Sequence, residues 1–476
     1  MSKGVAIMEN EVEISIIKLI KKHKKIAMSI IIFSCTVLVI YLGMTIYFMN
    51  HFYFGSEINS INVSGKAVEE VNKQMAVEIQ TYNLNLKERG GINEQISAKE
   101  VGLKYNSDGE FKGLKDTQNP FKWISAFFNI DASLMIEGVR YDKELLRKRV
   151  DMLSCFDVRN IIEPKNPTFR FIDNVYVIIN EVDGNKVNKD ILYDHVSDAI
   201  LNKQTTVDLE WINCYVKPQY TSNSKEIIDT KNALNKYVFS KITYIFGDHS
   251  ELLDGSIINK WLSVDEKLKV TFDENEVKNY VDVLSNNYNT LGKTRKLVSS
   301  SGKTINIGGG DYGWSINRTK ETEALIIAIK GGQTIVKEPA YIQMALAHGK
   351  NDLGNTYVEI DLTNQHLWFY KSGSLLAQGD IVTGNISANH ITPEGIYKLK
   401  YKQKNAILRG PGYAAPVTFW MPFNGGIGIH DAGWRSNFGG EIYKADGSHG
   451  CINSPYYLAK AIFNNIEPGM PVVCYN

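Results

Sequence analysis

Cysteine is scarce in this chain of 476 residues, and the five present, Cys35, Cys155, Cys214, Cys451 and Cys474, are odd in number and widely scattered. That pattern excludes a disulfide framework, and the lack of any C-x-x-C pair removes the usual zinc spacing. An excess of either charge is missing too: 53 basic residues face 52 acidic ones, for a net charge of +1. No basic patch stands out in the soluble part, so nucleic acid is not an expected partner. The composition, 43% hydrophobic and 22% charged, is that of a globular protein. Its length exceeds one ordinary core and predicts roughly two to four domains.

Charge is absent altogether from residues 26–49, IAMSIIIFSCTVLVIYLGMTIYFM. As a helix this run is about 36 Å long, enough to cross a bilayer core of roughly 30 Å. Lys18, Lys21, Lys22, Lys24 and Lys25 precede it, and no Lys or Arg follows until Lys66. The positive-inside rule then keeps tail 1–25 in the cytoplasm and exports the remainder. A cleaved signal peptide is the rival, but the run is long for one and NHFYFGS offers no small-residue cleavage site. The expectation is a single-pass transmembrane helix over 26–49, with Cys35 a small apolar filler inside it.

Residues 50–220 read as an α+β module. Val63-Ser64-Gly65-Lys66 forms a turn before a helix carrying Val68, Val71, Met75, Val77 and Ile79, and Leu84 and Leu86 alternate in a strand. YVIINEVDGNKVNKDILYDHVSDAI (176–200) repeats the order of strand, turn and helix, and KPQYTSNSKE (217–226) reads as a linker. Residues 221–351 have a similar build, with helix IIDTKNALNKYV, a strand and helix in VTFDENEVKNYVDVLSNNYN, and a hairpin in KLVSSSGKTINI. Weak similarity between the two regions points to a duplicated module. From residue 352 to 476 the pattern changes to short, regularly spaced strands, such as Val358, Ile360 and Leu362 and then Leu367 to Tyr370. That spacing predicts a mainly-β sandwich or barrel.

One motif invites a wrong reading. Gly308-Gly309-Gly310-Asp311-Tyr312-Gly313 matches G-x-G-x-x-G and is followed by the helical pattern TKETEALIIAIK (319–330). Trp314, Ile316 and Arg318 intervene, so the helix amides would not meet a pyrophosphate. The preceding strand also belongs to a hairpin rather than to a βαβ unit. A structural turn is therefore expected there, and no cofactor.

The chemistry gathers near the C-terminus. Alternating Ile427 and Ile429 predict a strand ending at His430, and GSHGCIN (447–453) places Cys451 in a polar, glycine-rich loop. An ordinary thiol is only a few per cent thiolate at neutral pH, so a neighbouring imidazole is what would activate it. The amides of Gly450 and Cys451 are natural oxyanion donors. A buried inert thiol is a poor match to such a loop. Zinc on His430, His449 and Cys451 is disfavoured by the close spacing of the last two and by the lack of an H-E-x-x-H helix. Pairing of Cys451 with Cys474 stays open on these grounds.

The stretch HDAGWRSNFGGEIYKADGSHGCIN resembles the signature of L,D-transpeptidases with the YkuD-type catalytic domain, which make 3→3 cross-links in bacterial peptidoglycan. Their pattern is a histidine, a spacer of about 14–17 residues, and Ser/Thr-His-Gly-Cys-x-Asn/Arg; here residues 431–447 form the spacer. Thr392-Pro393-Glu394-Gly395-Ile396-Tyr397 is similar to a turn of the family. SINVSGKAVEEV and GGGDYGWSINRTKETEALIIAIKGG resemble the peptidoglycan-binding modules that precede the domain in Gram-positive members.

The resemblance implies that Cys451 is the nucleophile and His430 the base. Ser448 and His449 would shape the loop and hold the imidazole through a backbone carbonyl, and Gly450 would supply part of the oxyanion hole. Asn453 would brace the turn. Trp434, Arg435 and Ser436 lie just past His430, and Arg435 would pair with a substrate carboxylate unless it is a solvated surface arginine. The implied partners are stem peptides and glycan strands, the membrane, and carbapenems as inhibitors, with the catalytic domain extracellular at the cell wall and no cofactor. Hydrolysis in place of transfer would make the same site an L,D-carboxypeptidase. A cysteine endopeptidase and an inert wall-binding protein are further readings. The best-known wall endopeptidases of this chemistry place cysteine before histidine, the reverse of the order here.

Overall fold

The computed structural model describes residues 3–105, 109–128, 133–134, 138–349, 351–410 and 412–476, so of the expected tail 1–25 residues 1 and 2 lie outside it. The chain divides into two compact units, residues 1–166 with 181–219, and residues 167–180 with 220–476.

The first unit opens with helix α1, Lys3–Asn50. From Glu13 on, it is long and apolar enough to cross a membrane. Helix Val68–Ile79 follows the predicted turn and buries Val71, Met75 and Ile79, which recur every fourth position on one face. Its first turn is closed by the Glu70 carboxylate, which accepts from the Ala67 amide at 3.0 Å. Strands Asn83–Lys87 and Asn93–Ser97 pair antiparallel, and Thr206–Asp208 adds in parallel to the first. Leu84, Leu86 and Ile96 alternate into the core, joined by Leu192, Val196 and Ile200 of helix Lys189–Leu201. Cys155 and Cys214 are buried in that core, and desolvation pushes both thiols up to about 12. They are packing residues.

The second unit begins with hairpin Thr168–Ile172 and Val175–Ile179. Strand Lys241–Phe246 pairs antiparallel with His249–Leu253 and parallel with Thr334–Lys337. Helices Lys225–Val238, Glu274–Tyr288 and Arg318–Gly331 supply the apolar side chains of this layer, Leu234, Val281 and Leu325 among them.

The C-terminal part of this unit is a sandwich of two sheets. We label its strands β1 (Tyr357–Asp361), β2 (His366–Lys371), β3 (Ser374–Asp380), β4 (Gly395–Lys398), β5 (Gln403–Gly410), β6 (Tyr413–Asn424), β7 (Ile427–Asp431), β8 (Ile452–Ser454) and β9 (Pro471–Tyr475). One sheet has the order β3-β2-β1-β9-β4 and the other β5-β6-β7-β8. Val358, Ile360, Leu367 and Phe369 from the first meet Phe419, Met421, Phe423 and Ile429 from the second. Helix α2 (Tyr456–Asn465) adds Leu458, Ile462 and Phe463 to the same core.

The glycine motif is the turn expected, and it has a docking role. Gly310 adopts a positive φ of 74°, and a Cβ there would stand 2.0 Å from the Ile396 carbonyl oxygen. The Tyr312 amide donates to that oxygen at 3.0 Å, and the Ile396 amide donates to the Gly309 carbonyl at 3.3 Å. The loop thus covers the free edge of β4, which would otherwise offer unpaired backbone groups. Asp311 fixes it further through the Lys398 amide at 3.1 Å and an ion pair with Lys400.

The same junction contains a buried ion pair. Arg295 reaches both carboxylate oxygens of Asp352, at 2.7 and 2.8 Å, with both side chains almost wholly buried. Removing one partner of such a pair leaves an uncompensated buried charge, which costs about 3–5 kcal/mol. Asp352→Ala is therefore expected to lower the urea unfolding midpoint of this unit. A wild-type midpoint would show that the pair contributes nothing.

Candidate active site

Strands β7 and β8 run side by side and parallel, with His430 opposite Asn453 and Ile429 opposite Ile452. Cys451 directly precedes β8, and it lines the same cavity as Asn453. His430 is at the matching register position. Both His430 and Cys451 line one cavity of about 250 Å³, together with Tyr413, Trp434, Ser448 and His449.

Small residues make this approach possible. A Cβ on Gly428 would lie 2.7 Å from the Met421 carbonyl oxygen and from the Trp420 ring, so only glycine lets β6 and β7 close up there. Gly450 has a φ of 111°, which side-chain-bearing residues rarely adopt.

His430 is buried, at 3% exposure. Its Nδ1 lies 2.9 Å from the Asp431 carbonyl oxygen. A carbonyl can only accept, so Nδ1 carries the hydrogen and Nε2 of the neutral ring keeps its lone pair. Asp431 is itself anchored: its carboxylate accepts from the Phe419 amide at 2.7 Å and the Thr418 amide at 3.1 Å. Burial holds the imidazole below its usual range, the Asp431 carbonyl and carboxylate oppose this, and the Arg435 cation lowers it further.

Burial also pushes the Cys451 thiol up, eased by the Gly428 amide. The sulfur lies 3.5 Å from the Gly426 carbonyl oxygen. Both directions favour uncharged groups at rest, a thiol and a neutral imidazole lining one cavity, rather than a preformed thiolate–imidazolium pair.

The loop before β8 is clamped from several sides. Ser448 Oγ donates to the Cys451 carbonyl at 2.5 Å and accepts from the Gly450 amide at 3.0 Å. Segment 382–385 pairs with it through Val382 and Asn453, which exchange two bonds of 2.9 Å, and through Ser448 with Thr383 and Asn385. Thr392 is buried, donates to the Gly450 carbonyl at 2.7 Å and accepts from the Gly384 amide at 3.0 Å.

Several expected roles shift accordingly. The carbonyl that orients the imidazole belongs to Asp431, and not to Ser448 or His449. His449 instead packs between the rings of Tyr413 and His390, each 4.6 Å away. The Gly450 amide is taken by Ser448, so it is not available to an oxyanion in this arrangement. Arg435 gives two nitrogens to Asp446, at 3.1 Å to the carboxylate and 2.7 Å to the carbonyl, and its Nε is buried without a partner. It is therefore neither solvated nor free for a bidentate carboxylate contact. Trp434 is 53% exposed with its ring 5.8 Å from that of His430, whereas Ser436 is exposed and away from the cavity lining. Asn453 is buried, and its bonds to Val382 are main-chain ones. All five cysteines are free thiols, so Cys451 and Cys474 are unpaired. The roles of Asp431, Thr392 and Tyr413 were not anticipated; the His-Asp dipeptide and the Thr-Pro-Glu-Gly turn were the available signals.

Residues 355–474 match the family model of the L,D-transpeptidase catalytic domain (YkuD), and residues 94–208 and 220–337 each match a model described as a peptidoglycan binding domain. No curated protein matches significantly. Among solved structures, a crystal structure of an Enterococcus faecium L,D-transpeptidase mutant is 34% identical, covering 53% of this chain and 100% of that one, with a TM-score of 0.46. An NMR structure of the catalytic domain from an E. faecium L,D-transpeptidase acylated by ertapenem is 41% identical, covering 26% and 98%, with a TM-score of 0.24.

Two outcomes follow from the geometry. Alkylation of Cys451 by iodoacetamide is expected to rise with pH through a midpoint above that of an ordinary thiol, because burial raises its pKa. A plateau of high reactivity between about pH 5 and 7 would instead reveal a preformed ion pair. Thr392→Val strips the buried Gly450 carbonyl and Gly384 amide of their partner, at a cost of about 1–3 kcal/mol. Its unfolding midpoint in urea should fall; no change would mean that the hydroxyl does not hold the loop.

Proposed function

Because this chain belongs to the L,D-transpeptidase family with a YkuD-type catalytic domain, we propose that it forms 3→3 cross-links between peptidoglycan stem peptides by cysteine acyl transfer. The observation that carries this reading is the His430 imidazole, fixed at Nδ1 by the Asp431 carbonyl, in one cavity with Cys451.

In the proposed reaction, Cys451 attacks the carbonyl of the third residue of a donor tetrapeptide stem. His430 Nε2 takes the thiol proton as the carbon–sulfur bond forms, so charge is created only in the transition state. The Cys451 amide is the candidate oxyanion donor, since the Gly450 amide is occupied. Collapse breaks the peptide bond to the terminal D-alanine, whose amine receives the proton from Nε2. The thioester is then attacked by the side-chain amine of an acceptor stem's third residue. That proton passes to Nε2 and on to the departing sulfur, which restores the resting thiol in a ping-pong cycle. Ser448, Gly450 and Thr392 act by holding the loop, and Tyr413, His449 and Trp434 offer aromatic surface to the stem.

Helix α1 is proposed to be the membrane anchor, with its lysine-rich start cytoplasmic and both units exported. The two matched modules would hold glycan strands. A β-lactam of the carbapenem class is expected to acylate Cys451, by analogy with the E. faecium catalytic domain acylated by ertapenem.

Incubation with purified disaccharide-tetrapeptide is expected to give a cross-linked dimer lacking one D-alanine. Cys451→Ala should give none. Shortened monomers without dimer would make the enzyme an L,D-carboxypeptidase, and no product together with no adduct on carbapenem treatment would leave only a binding protein.

A further inference from the structure

Within the first unit, the segment Pro120–Phe127 folds as a 3₁₀ helix, PFKWISAF, followed by Phe128. Asn119 caps it, its side chain accepting from the Phe121 amide at 3.0 Å, and proline sits at the first helical position. Its composition is unusual for a connecting loop. Phe121, Ile124, Phe127 and Phe128 are 56, 44, 57 and 80% exposed. Among the described residues of this unit, none buries them.

The segment lies alongside α1. The Tyr41 hydroxyl donates to the Phe121 carbonyl at 2.8 Å. Trp123 stands 6.1 Å from the Tyr41 ring and 6.0 Å from that of Phe48, and Phe127 is 6.0 Å from Phe54. Between helix and segment runs an apolar groove of about 440 Å³, lined by Phe33, Val37, Leu38, Tyr41, Trp123 and Ile124. The exposed side chains of the segment and those of α1 therefore form one continuous apolar surface.

Depth along α1 identifies what covers that surface. Counting from Lys25 at about 1.5 Å per residue, a hydrocarbon core of roughly 30 Å ends near residue 45. Val37 to Tyr41 then lie in its outer half, and Trp123, Tyr41 and Phe48 cluster where aromatic side chains concentrate at a membrane surface. The exposed apolar residues on α1, including the consecutive Ile31, Ile32 and Phe33, point to different sides of the helix, so a single protein partner would not cover them. Lys122, exposed on the segment, has the reach to place its ammonium in the headgroup layer.

We propose that residues 120–128 insert into the outer leaflet beside the anchor, with acyl chains filling the groove, so that the first unit is seated on the bilayer rather than tethered above it. The proposal rests on α1 being the membrane anchor. A second contact with the lipid would fix the tilt and rotation of this unit, which a lone spanning helix leaves free.

The test uses the full chain in phospholipid vesicles of phosphatidylglycerol and phosphatidylethanolamine, with p-benzoylphenylalanine in place of Phe121, Phe128, Leu38 or Val77. Leu38 reports the anchor itself. Val77 is an exposed residue on the helix face that carries Glu69 and Lys73, and serves as the water-facing control. Photolysis is expected to give phospholipid adducts at positions 121, 128 and 38 and a loss of adduct at 77. Adducts at 38 but at neither phenylalanine position would overturn the insertion while leaving the anchor intact. No adduct at 38 would remove the anchor and the insertion together. Equal adducts at 77, or protein–protein cross-links from 128 in place of lipid, would also overturn it, the latter in favour of a second copy of this chain.

Discussion

The parallel pairing of β7 with β8 is the constraint on which the site depends. It sets His430 opposite Asn453 and brings Cys451 to the same face from a loop that no helix or strand would otherwise aim. A slip of one residue in that register would turn the sulfur to the opposite face. Bonds to a separate segment oppose the slip: Val382 with Asn453, Thr383 and Asn385 with Ser448, and Thr392 with Gly450. The Gly428 and Gly450 backbones permit the close approach, and the buried sandwich beneath, from Phe369 to Phe419, makes it rigid.

Burial then decides the electrostatics. A half-buried nucleophile and a buried base are cheaper to keep neutral than ionised, and the directions of both His430 and Cys451 agree with that. The Asp431 carboxylate supplies orientation at one remove. Two backbone amides of β6 hold it, and its residue's carbonyl in turn fixes the imidazole tautomer. The arrangement resembles a triad in logic, with a main-chain oxygen in the third place.

Much of the fold was legible because periodicity reports burial directly. Val71, Met75 and Ile79 on one helix, and the paired strands over 357–371, lie where their spacing predicts, although Glu359 and Asp361 are buried as well as Val358 and Ile360. The glycine motif forms a turn set apart from the helix that follows, as the intervening Trp314 and Ile316 indicated, although that helix opens at Arg318 itself. Its docking on Ile396 was not legible, since contacts this distant in sequence leave no local pattern. Hairpin 168–179, which packs with the second unit, is likewise indistinguishable by composition from a strand pair of the first.

At the site, residue type revealed the nucleophile and base, and missed what positions them. Backbone carbonyls and amides have no side-chain signature, so the Asp431 carbonyl and the occupied Gly450 amide could be found only in three dimensions. Arg435 illustrates the same limit: its charge pointed to a substrate carboxylate, while Asp446, eleven positions on, had already claimed it.

The central claim is that one sulfur becomes acylated with the help of one imidazole, and trapping the acyl group on the enzyme tests it most directly. Brief incubation with a donor tetrapeptide, followed by rapid quenching and peptide mass mapping, should place a hydroxylamine-labile tripeptide on Cys451, with loss of that adduct in His430→Ala. An acyl group on another residue, or acylation of Cys451 at an undiminished rate without His430, would contradict the account.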